Sequence, residues 1–132
     1  MVPVFQPEGS ALCGQACVAT VADVALDRVV AFMHKRAGAG TRTREIVKAL
    51  RHFGIPCANR LRRTSKTKPV LPRRSIICIA LFVGSAATSY HCRRGHWMVS
   101  WDGLMHDPGG RWPDGYTGWK ITSYLDLTGG AS

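Results

Sequence analysis

The period of the hydrophobic and polar positions changes along the chain, near residue 75. Before that point, apolar side chains recur every three to four residues, which is typical of amphipathic helices. Beyond it, short apolar runs and alternating positions are typical of strands. Helices followed by antiparallel strands predict an α+β fold. The 132 residues are enough for a single domain, residues 1–132, with its own hydrophobic core.

Two helices are predicted before residue 40. The first runs from about Ala11 to Ala25, with Ser10 as its N-cap, and its many apolar positions predict that it is mostly buried. The second runs from about Arg28 to Arg36 and is expected to be capped by Asp27.

A third helix is predicted to begin at Thr41 or Thr43. Its apolar side chains have the spacing of one helix face, and they are Ile46, Val47, Leu50 and Phe53. Gly54 is expected at the position after its C-cap, and Pro56 prevents the helix from resuming.

Four strands are predicted in the second half of the chain. They run from Ser75 to Val83, from His96 to Trp101, from Leu104 to Asp107 and from Ile121 to Leu127. The dipeptide Asp102-Gly103 is a strong signal for a two-residue hairpin turn between the second and third of them.

This predicted hairpin fixes which side chains share a face of the sheet. With a two-residue loop, Met98 lies opposite Asp107, and His96 shares the face of Met98. His96 and Asp107 are then diagonal neighbours, at ~7–8 Å, where their side chains can meet. His106 points to the other face and Asp102 lies in the turn. The register therefore selects Asp107 as the partner of His96, and a three-residue loop would reverse this choice.

Cys13 lies in the first turn of the first predicted helix, where the positive end of the helix dipole lowers the pKa of a thiol. Gly14 allows close approach of another backbone or a substrate. Alone, Cys13 is more simply a buried apolar thiol and His96 a structural histidine. Their order, together with Asp107, favours a nucleophile, a base and an orienting carboxylate. Cys17, one turn later, is the alternative nucleophile.

The chain resembles the papain-like cysteine peptidases, and most closely the small bacterial C39-type peptidases that process bacteriocin leaders, with their stand-alone relatives. The resemblance spans roughly Val4 to Leu127. It is carried by Phe5-Gln6-Pro7, Ala11-Leu12-Cys13-Gly14-Gln15-Ala16-Cys17, Gly95-His96-Trp97-Met98-Val99 and His106-Asp107-Pro108.

This resemblance implies a papain-like fold, with the nucleophile helix packed on the sheet that supplies the histidine. It implies a bacterial or phage cysteine peptidase that acts on a peptide or protein through a thioester acyl-enzyme, with no cofactor and no metal. The side-chain amide of Gln6 would stabilise the oxyanion beside the backbone N–H of Cys13. One such donor is typically worth about 3 kcal/mol.

Other functions are compatible with the same residues. An acyltransferase or a glutamine deamidase would share the constellation and differ in the nucleophile that resolves the thioester. Trp112 and Trp119 flank a loop after Asp107 and are expected to line the substrate cleft. The tail from Thr128 to Ser132 contains Gly-Gly, after which the resembled peptidases cut, although a flexible tail is the simpler interpretation.

The positive charge is concentrated in one segment. Eighteen basic and eight acidic residues give a net charge of +10. Seven of the basic residues lie between Asn59 and Arg74, where there is no acid: Arg60, Arg62, Arg63, Lys66, Lys68, Arg73 and Arg74. This basic segment suits an acidic partner or nucleic acid, although it has no aromatic side chain to stack on bases. A non-catalytic binding module using residues 60–74 is therefore the alternative function, and a solvated loop is the simplest interpretation.

Five cysteines cannot all pair, and no signal peptide or ~20-residue apolar run is evident. We therefore expect reduced thiols in the cytoplasm and no membrane span. Zinc is the chemical rival, since Cys13 and Cys17 are one turn apart and His91, Cys92 and His96 offer further ligands. No Cys-x-x-Cys pair is present, which favours the peptidase.

Overall fold

The computed structural model describes residues 1–35, 39–83, 86–87 and 96–128. The helices are α1 (Cys13–Ala22), α2 (Leu26–Met33) and α3 (Thr43–His52). The strands are β1 (Arg62–Arg63), β2 (Arg74–Val83), β3 (Ala86–Ala87), β4 (His96–Trp101), β5 (Leu104–His106) and β6 (Trp119–Asp126). Helices followed by antiparallel strands confirm the predicted α+β class. Within these ranges, no helix has the length and apolar character needed to cross a membrane.

The sheet is antiparallel and has apolar side chains on both faces. Its order is β1-β6-β2-β4-β5, and the short β3 pairs with the end of β2. The central strand β2 sends Ile76 and Cys78 into the core that the three helices share. Its alternate residues, Ile77 and Ile79, pack with Met98 in a second cluster on the opposite face. This alternation follows from the period of two along a strand.

Helix α1 is the buried centre of the helical layer. Residues 13–21 are all buried, as expected for a helix that is apolar on every side. The helix begins at Cys13, so the prediction that Ser10 caps it was wrong. Ser10 instead closes a turn, where its N–H donates to the carbonyl of Pro7 at 3.1 Å, and Leu12 takes the N-cap position. The helix ends at Ala22 because Asp23 adopts a left-handed conformation.

The remaining helix boundaries were predicted less well for α2 than for α3. Helix α2 runs Leu26–Met33 rather than from Arg28, with Ala25 at the N-cap, so Asp27 lies in the first turn and does not cap it. Its predicted end at Arg36 lies outside the described residues; the helix stops where His34 becomes left-handed. Helix α3 begins at Thr43, one of the two predicted starts, with the predicted stripe.

The strands follow the sequence prediction closely where the sequence pattern is long. Strand β4 has the predicted bounds, while β2 starts one residue early and β5 ends one residue early, at His106. Strand β6 was predicted to run from Ile121 to Leu127; it begins two residues earlier and ends one residue earlier than that. The two-residue strands β1 and β3 were not predicted, because two residues carry no readable period.

Gly14, in the first turn of α1, contacts Thr41, which precedes α3. A Cβ atom at Gly14 would lie 2.0 Å from Oγ1 and 3.0 Å from Cβ of Thr41. Thr41 is itself held in the core, and its carbonyl accepts a hydrogen bond from the Trp97 indole at 3.3 Å. Only a glycine at position 14 permits the close contact with Thr41. This contact allows the first turn of α1 to pack against the segment before α3.

We expect Gly14→Ala to destabilise the protein by on the order of 1–3 kcal/mol, because the added methyl group overlaps Thr41. In a Thr41→Ala background the same substitution should cost less, since the clashing Oγ1 is gone. Chemical denaturation of the four proteins in this double-mutant cycle measures the coupling. An additive cycle would show that the contact does not restrict position 14.

Candidate active site

Cys13 is the first residue of α1 and is 7% exposed. The helix start places the positive end of the macrodipole at this thiol, which favours the thiolate form. The Cys13 side chain is hydrogen-bonded to the imidazole of His96, the first residue of β4. Helix α1 packs on β4, so the helical layer supplies the thiol and the sheet supplies the imidazole.

His96 is also bonded to Asp107, as the hairpin register predicted. Its Nε2 donates to Oδ1 of Asp107 at 2.5 Å. The pairs Val99–His106, Ser100–Met105 and Trp101–Leu104 are those of a two-residue loop. Because Asp107 engages Nε2, Nδ1 is the ring nitrogen left for the Cys13 thiol. The predicted geometry of thiol, imidazole and carboxylate is therefore present.

Backbone N–H groups hold the Asp107 carboxylate in place. Gly109 donates to Oδ1 at 2.8 Å and Arg111 donates to Oδ2 at 2.9 Å. Burial would raise the pKa of this carboxyl group, but the hydrogen bonds from His96, Arg111 and Gly109 outweigh it and hold the pKa well below its usual range. Asp107 is thus ionised at any pH at which His96 can accept a proton.

The same contacts favour the protonated imidazole. Burial alone would lower the pKa of His96, but the hydrogen bonds to Asp107 and Cys13 and the charges of those two groups raise it to about 9. A histidine that keeps its proton near neutral pH, beside a thiol at a helix start, favours a thiolate–imidazolium pair.

Cys17, the alternative nucleophile, is fully buried one turn below Cys13. Burial, and then the nearby charges of Cys13 and Asp107, raise the pKa of its thiol well above the usual value. Cys17 is therefore held as a neutral thiol and acts as an apolar core side chain.

Gln6 is anchored next to the turn that carries Asp107. Its backbone N–H donates to the carbonyl of Pro108 at 2.9 Å, and its side-chain Nε2 donates to the carbonyl of Ser10 at 2.8 Å. Its Oε1 is buried with no hydrogen-bond partner among the described residues. A primary amide has two N–H bonds, so the contact with Ser10 leaves one for a substrate oxygen.

Gln6 and His96 line an open groove of about 760 Å³, and Cys13 is not among its lining residues. One side is the segment from Phe5 to Ser10, the other comes from residues 108–119, and His96 contributes to its lining. Trp119 borders the groove, as expected for one of the two tryptophans. Trp112 does not contribute to this lining; it packs against the ring of Tyr116, at 5.7 Å between centroids.

Tyr116 is a member of the site that the sequence did not identify. Its ring stacks on the His96 imidazole, with centroids 5.5 Å apart and planes 21° apart. The sequence placed Tyr116 only in a turn-rich loop, twenty residues from His96, and no local pattern links the two positions.

The positive charge of the basic segment is partly neutralised by a carboxylate. Arg73 and Arg74 bind the Asp102 carboxylate at the hairpin turn, at 2.7 Å and 3.1 Å. Arg62 and Arg63 are exposed on the edge strand β1. None of the basic residues of this segment lines the groove.

Two further sequence expectations fall partly outside the described residues. Within the described ranges, no group of three or more His, Cys, Asp or Glu side chains is placed to hold a metal ion. His91 and Cys92, which the zinc alternative requires, lie outside those ranges, as do residues 129–132 with the Gly-Gly pair.

No family model matches the chain, and no curated protein or solved structure is significantly similar to it. The chemistry of the site is therefore inferred from its own residues.

We expect Asp107→Asn to lower the pKa of His96 from about 9 by on the order of 1–2 units, because the ionised partner of the imidazolium is removed. An NMR titration of the His96 ring measures this. Asp102→Asn is the matched control, since Asp102 lies on the same hairpin and contacts Arg73 and Arg74 instead. An unchanged His96 pKa in Asp107→Asn would mean that the observed bond does not set the protonation state.

Proposed function

We propose that this protein is a papain-like cysteine peptidase or amide hydrolase that uses Cys13, His96 and Asp107 as a catalytic triad. The observation that carries the proposal is the position of His96, whose imidazole is bonded both to the Cys13 thiol and to the Asp107 carboxylate. A thiol at a helix start, an imidazole and an oriented carboxylate are the parts that thiol catalysis needs.

In the proposed reaction, the Cys13 thiolate attacks the carbonyl carbon of a peptide bond in the groove. The resulting oxyanion is stabilised by the helix start and by the remaining N–H of the Gln6 amide. The His96 imidazolium then gives its proton to the leaving amine as the C–N bond breaks, which leaves a thioester on Cys13. Neutral His96 next takes a proton from water, the hydroxide attacks the thioester, and the carboxylic acid leaves as the thiolate returns.

The arrangement of elements supports the papain-like assignment. The nucleophile begins a buried helix, the helix packs on an antiparallel sheet, and the sheet supplies the histidine and, one residue beyond β5, the carboxylate. The candidate oxyanion donor Gln6 precedes the helix and faces the same groove. These are the relations that the resemblance to the C39-type peptidases implies, here in the order Gln6, Cys13, His96, Asp107.

The groove supports an extended peptide as substrate. It is open along the segment from Phe5 to Ser10, and at about 760 Å³ it is large enough for several residues of a peptide. The same thioester resolved by an amine would make the protein an acyltransferase, and attack on a glutamine side chain would make it a deamidase. The geometry of the triad is common to all of these reactions.

The first prediction of this proposal is that Cys13 is alkylated by iodoacetamide rapidly at pH values well below 8. His96→Ala should slow this reaction at least about tenfold at pH 6, because the thiolate loses its counter-ion. Mass spectrometry of the labelled peptides measures the rate across pH. Cys57 is the internal reference, because it is partly exposed and burial raises the pKa of its thiol. Cys13 reacting no faster than Cys57 at pH 6 would reject the thiolate and with it the proposed mechanism.

The second prediction is turnover of peptides by the wild type and none by Cys13→Ala, which removes the nucleophile and leaves the lining residues of the groove unchanged. Incubation with a peptide library, followed by mass spectrometry, distinguishes the possible products. Cleaved peptides indicate a peptidase, peptides joined to an added amine a transferase, and a one-dalton gain a deamidase. A reactive Cys13 with products that are unchanged in Cys13→Ala would exclude catalysis by this thiol.

A further inference from the structure

We infer that Tyr116 is a positioning residue for the candidate site, because its ring stacks on the imidazole of His96 while its hydroxyl and the carboxylate of Asp107 flank the same point at Gly109. One side chain would then hold two members of the triad at once. The inference rests on the proposed function for its catalytic consequence, whereas the positioning itself is a property of the His96–Asp107 pair.

The ring of Tyr116 is itself fixed by aromatic neighbours. Tyr116 is 7% exposed and packs edge-on against Trp119, with ring centroids 5.5 Å apart and planes at 86°. Its ring is also tilted against that of Trp112, with centroids 5.7 Å apart and planes at 41°. A ring held in this way restricts the rotation of the imidazole that stacks on it. It also covers one face of His96, whose side chain is only 13% exposed. Water is thereby kept from the bond between His96 and Asp107.

The hydroxyl of Tyr116 and the carboxylate of Asp107 lie on either side of the same point at Gly109. A Cβ atom at Gly109 would lie 3.3 Å from Oδ1 of Asp107 and 3.6 Å from the Tyr116 hydroxyl oxygen. Burial, followed by the charge of Asp107 and a hydrogen bond to it, raises the pKa of Tyr116 well above its usual value. Tyr116 therefore keeps its proton over the whole range in which the site would work, and it acts as a neutral donor to the carboxylate.

This donor has a definite electrostatic consequence. The carboxylate of Asp107 shares its charge among His96, the N–H groups of Gly109 and Arg111, and the Tyr116 hydroxyl. Removing one donor concentrates that charge on the remaining ones, so the imidazolium of His96 should become more stable. Removing the ring should have the opposite effect, because a mobile imidazole loses part of its bond to Asp107, and this loss outweighs the hydration that the imidazole gains. Removing only the hydroxyl of Tyr116 should therefore raise the His96 pKa, and removing the ring as well should act against that rise.

Other titratable or charged groups lie near His96 and Tyr116. Cys13 approaches His96 from α1, and the guanidinium of Arg111 lies 5.7 Å from the centroid of the Tyr116 ring. Glu8 lines the groove opposite. The test is therefore made in a Cys13→Ala background, where the thiol no longer titrates with His96, while Arg111 and Glu8 are unchanged in every variant.

The experiment is an NMR titration of the His96 ring in Cys13→Ala, alone and combined with Tyr116→Phe or Tyr116→Leu. We expect Tyr116→Phe to raise the His96 pKa by about half a unit to one unit, the size of one lost hydrogen bond. Tyr116→Leu should give a pKa below that of Tyr116→Phe and should also lose the ring-current shift of the His96 protons. Tyr124→Phe is the matched control, because it removes a hydroxyl from β6, where Tyr124 pairs with Arg62 and Ile77.

A purely structural role for Tyr116 predicts a different result. It would leave the His96 pKa equal in the parent and in Tyr116→Phe, and lower only the unfolding temperature of Tyr116→Leu; that outcome overturns the inference. In the protein that retains Cys13, Tyr116→Leu should slow alkylation of the thiol by about 10- to 100-fold. An unreactive wild-type Cys13 would reject the proposed function alone, since the titration does not depend on that thiol.

Discussion

The register of the β4–β5 hairpin is the constraint on which the candidate site depends. The turn residues Asp102 and Gly103 both have positive φ, at 50° and 86°, as a type I′ turn requires. This turn pairs Trp101 with Leu104 and so brings His96 and Asp107 to the same face. A slip of one residue would send every side chain of one strand to the opposite face. Asp107 would then no longer face the imidazole, and Cys13 would have no oriented base.

Burial makes the pairing of His96 with Asp107 dependent on further hydrogen bonds. A carboxylate and an imidazolium taken out of water lose hydration, and their mutual attraction offsets that loss only when the remaining lone pairs are satisfied. Asp107 meets this condition through the N–H groups of Gly109 and Arg111, which the turn after β5 supplies. Cys17 shows the opposite case one turn below Cys13. Cys17 is fully buried near the charges of Cys13 and Asp107, and its thiol is held neutral.

The sequence predicted the parts of the fold that are governed by local chemistry. The Asp-Gly turn, the bounds of β4 and the apolar stripe of α3 depend on residues close to one another in the chain, and the sequence pattern was sufficient to find them. The start of α1 was missed because the Ser10 hydroxyl accepts the N–H of Leu12, at 3.4 Å, rather than an N–H in the first turn of the helix. The end of that helix depends on a left-handed Asp23, for which the pattern gives no sign.

The residues of the candidate site could likewise be predicted only where local sequence determines their positions. Asp107 could be selected because the distance from His96 to its partner is set by a hairpin, whose register is readable. Cys13 could be placed at a helix start, although the contact between α1 and β4 is a matter of tertiary packing. Tyr116 could not be found in this way, because it reaches His96 from the loop between β5 and β6 through tertiary packing. No sequence pattern around either residue indicates that Tyr116 stacks on His96.

Asp102 and Asp107, the two carboxylates in and next to the hairpin, have different environments and different partners. Asp102 is exposed and left-handed, a conformation that aspartate tolerates better than most residues. Hydrogen bonds from Arg74 and Arg73 lower its pKa, so one end of the basic segment is tied to the turn. Asp107, five residues later, is buried against His96. Exposure makes the first pairing sensitive to salt, whereas burial protects the second. The turn therefore sets the register of the hairpin, while the charge of Asp102 is paired with Arg73 and Arg74 rather than with His96.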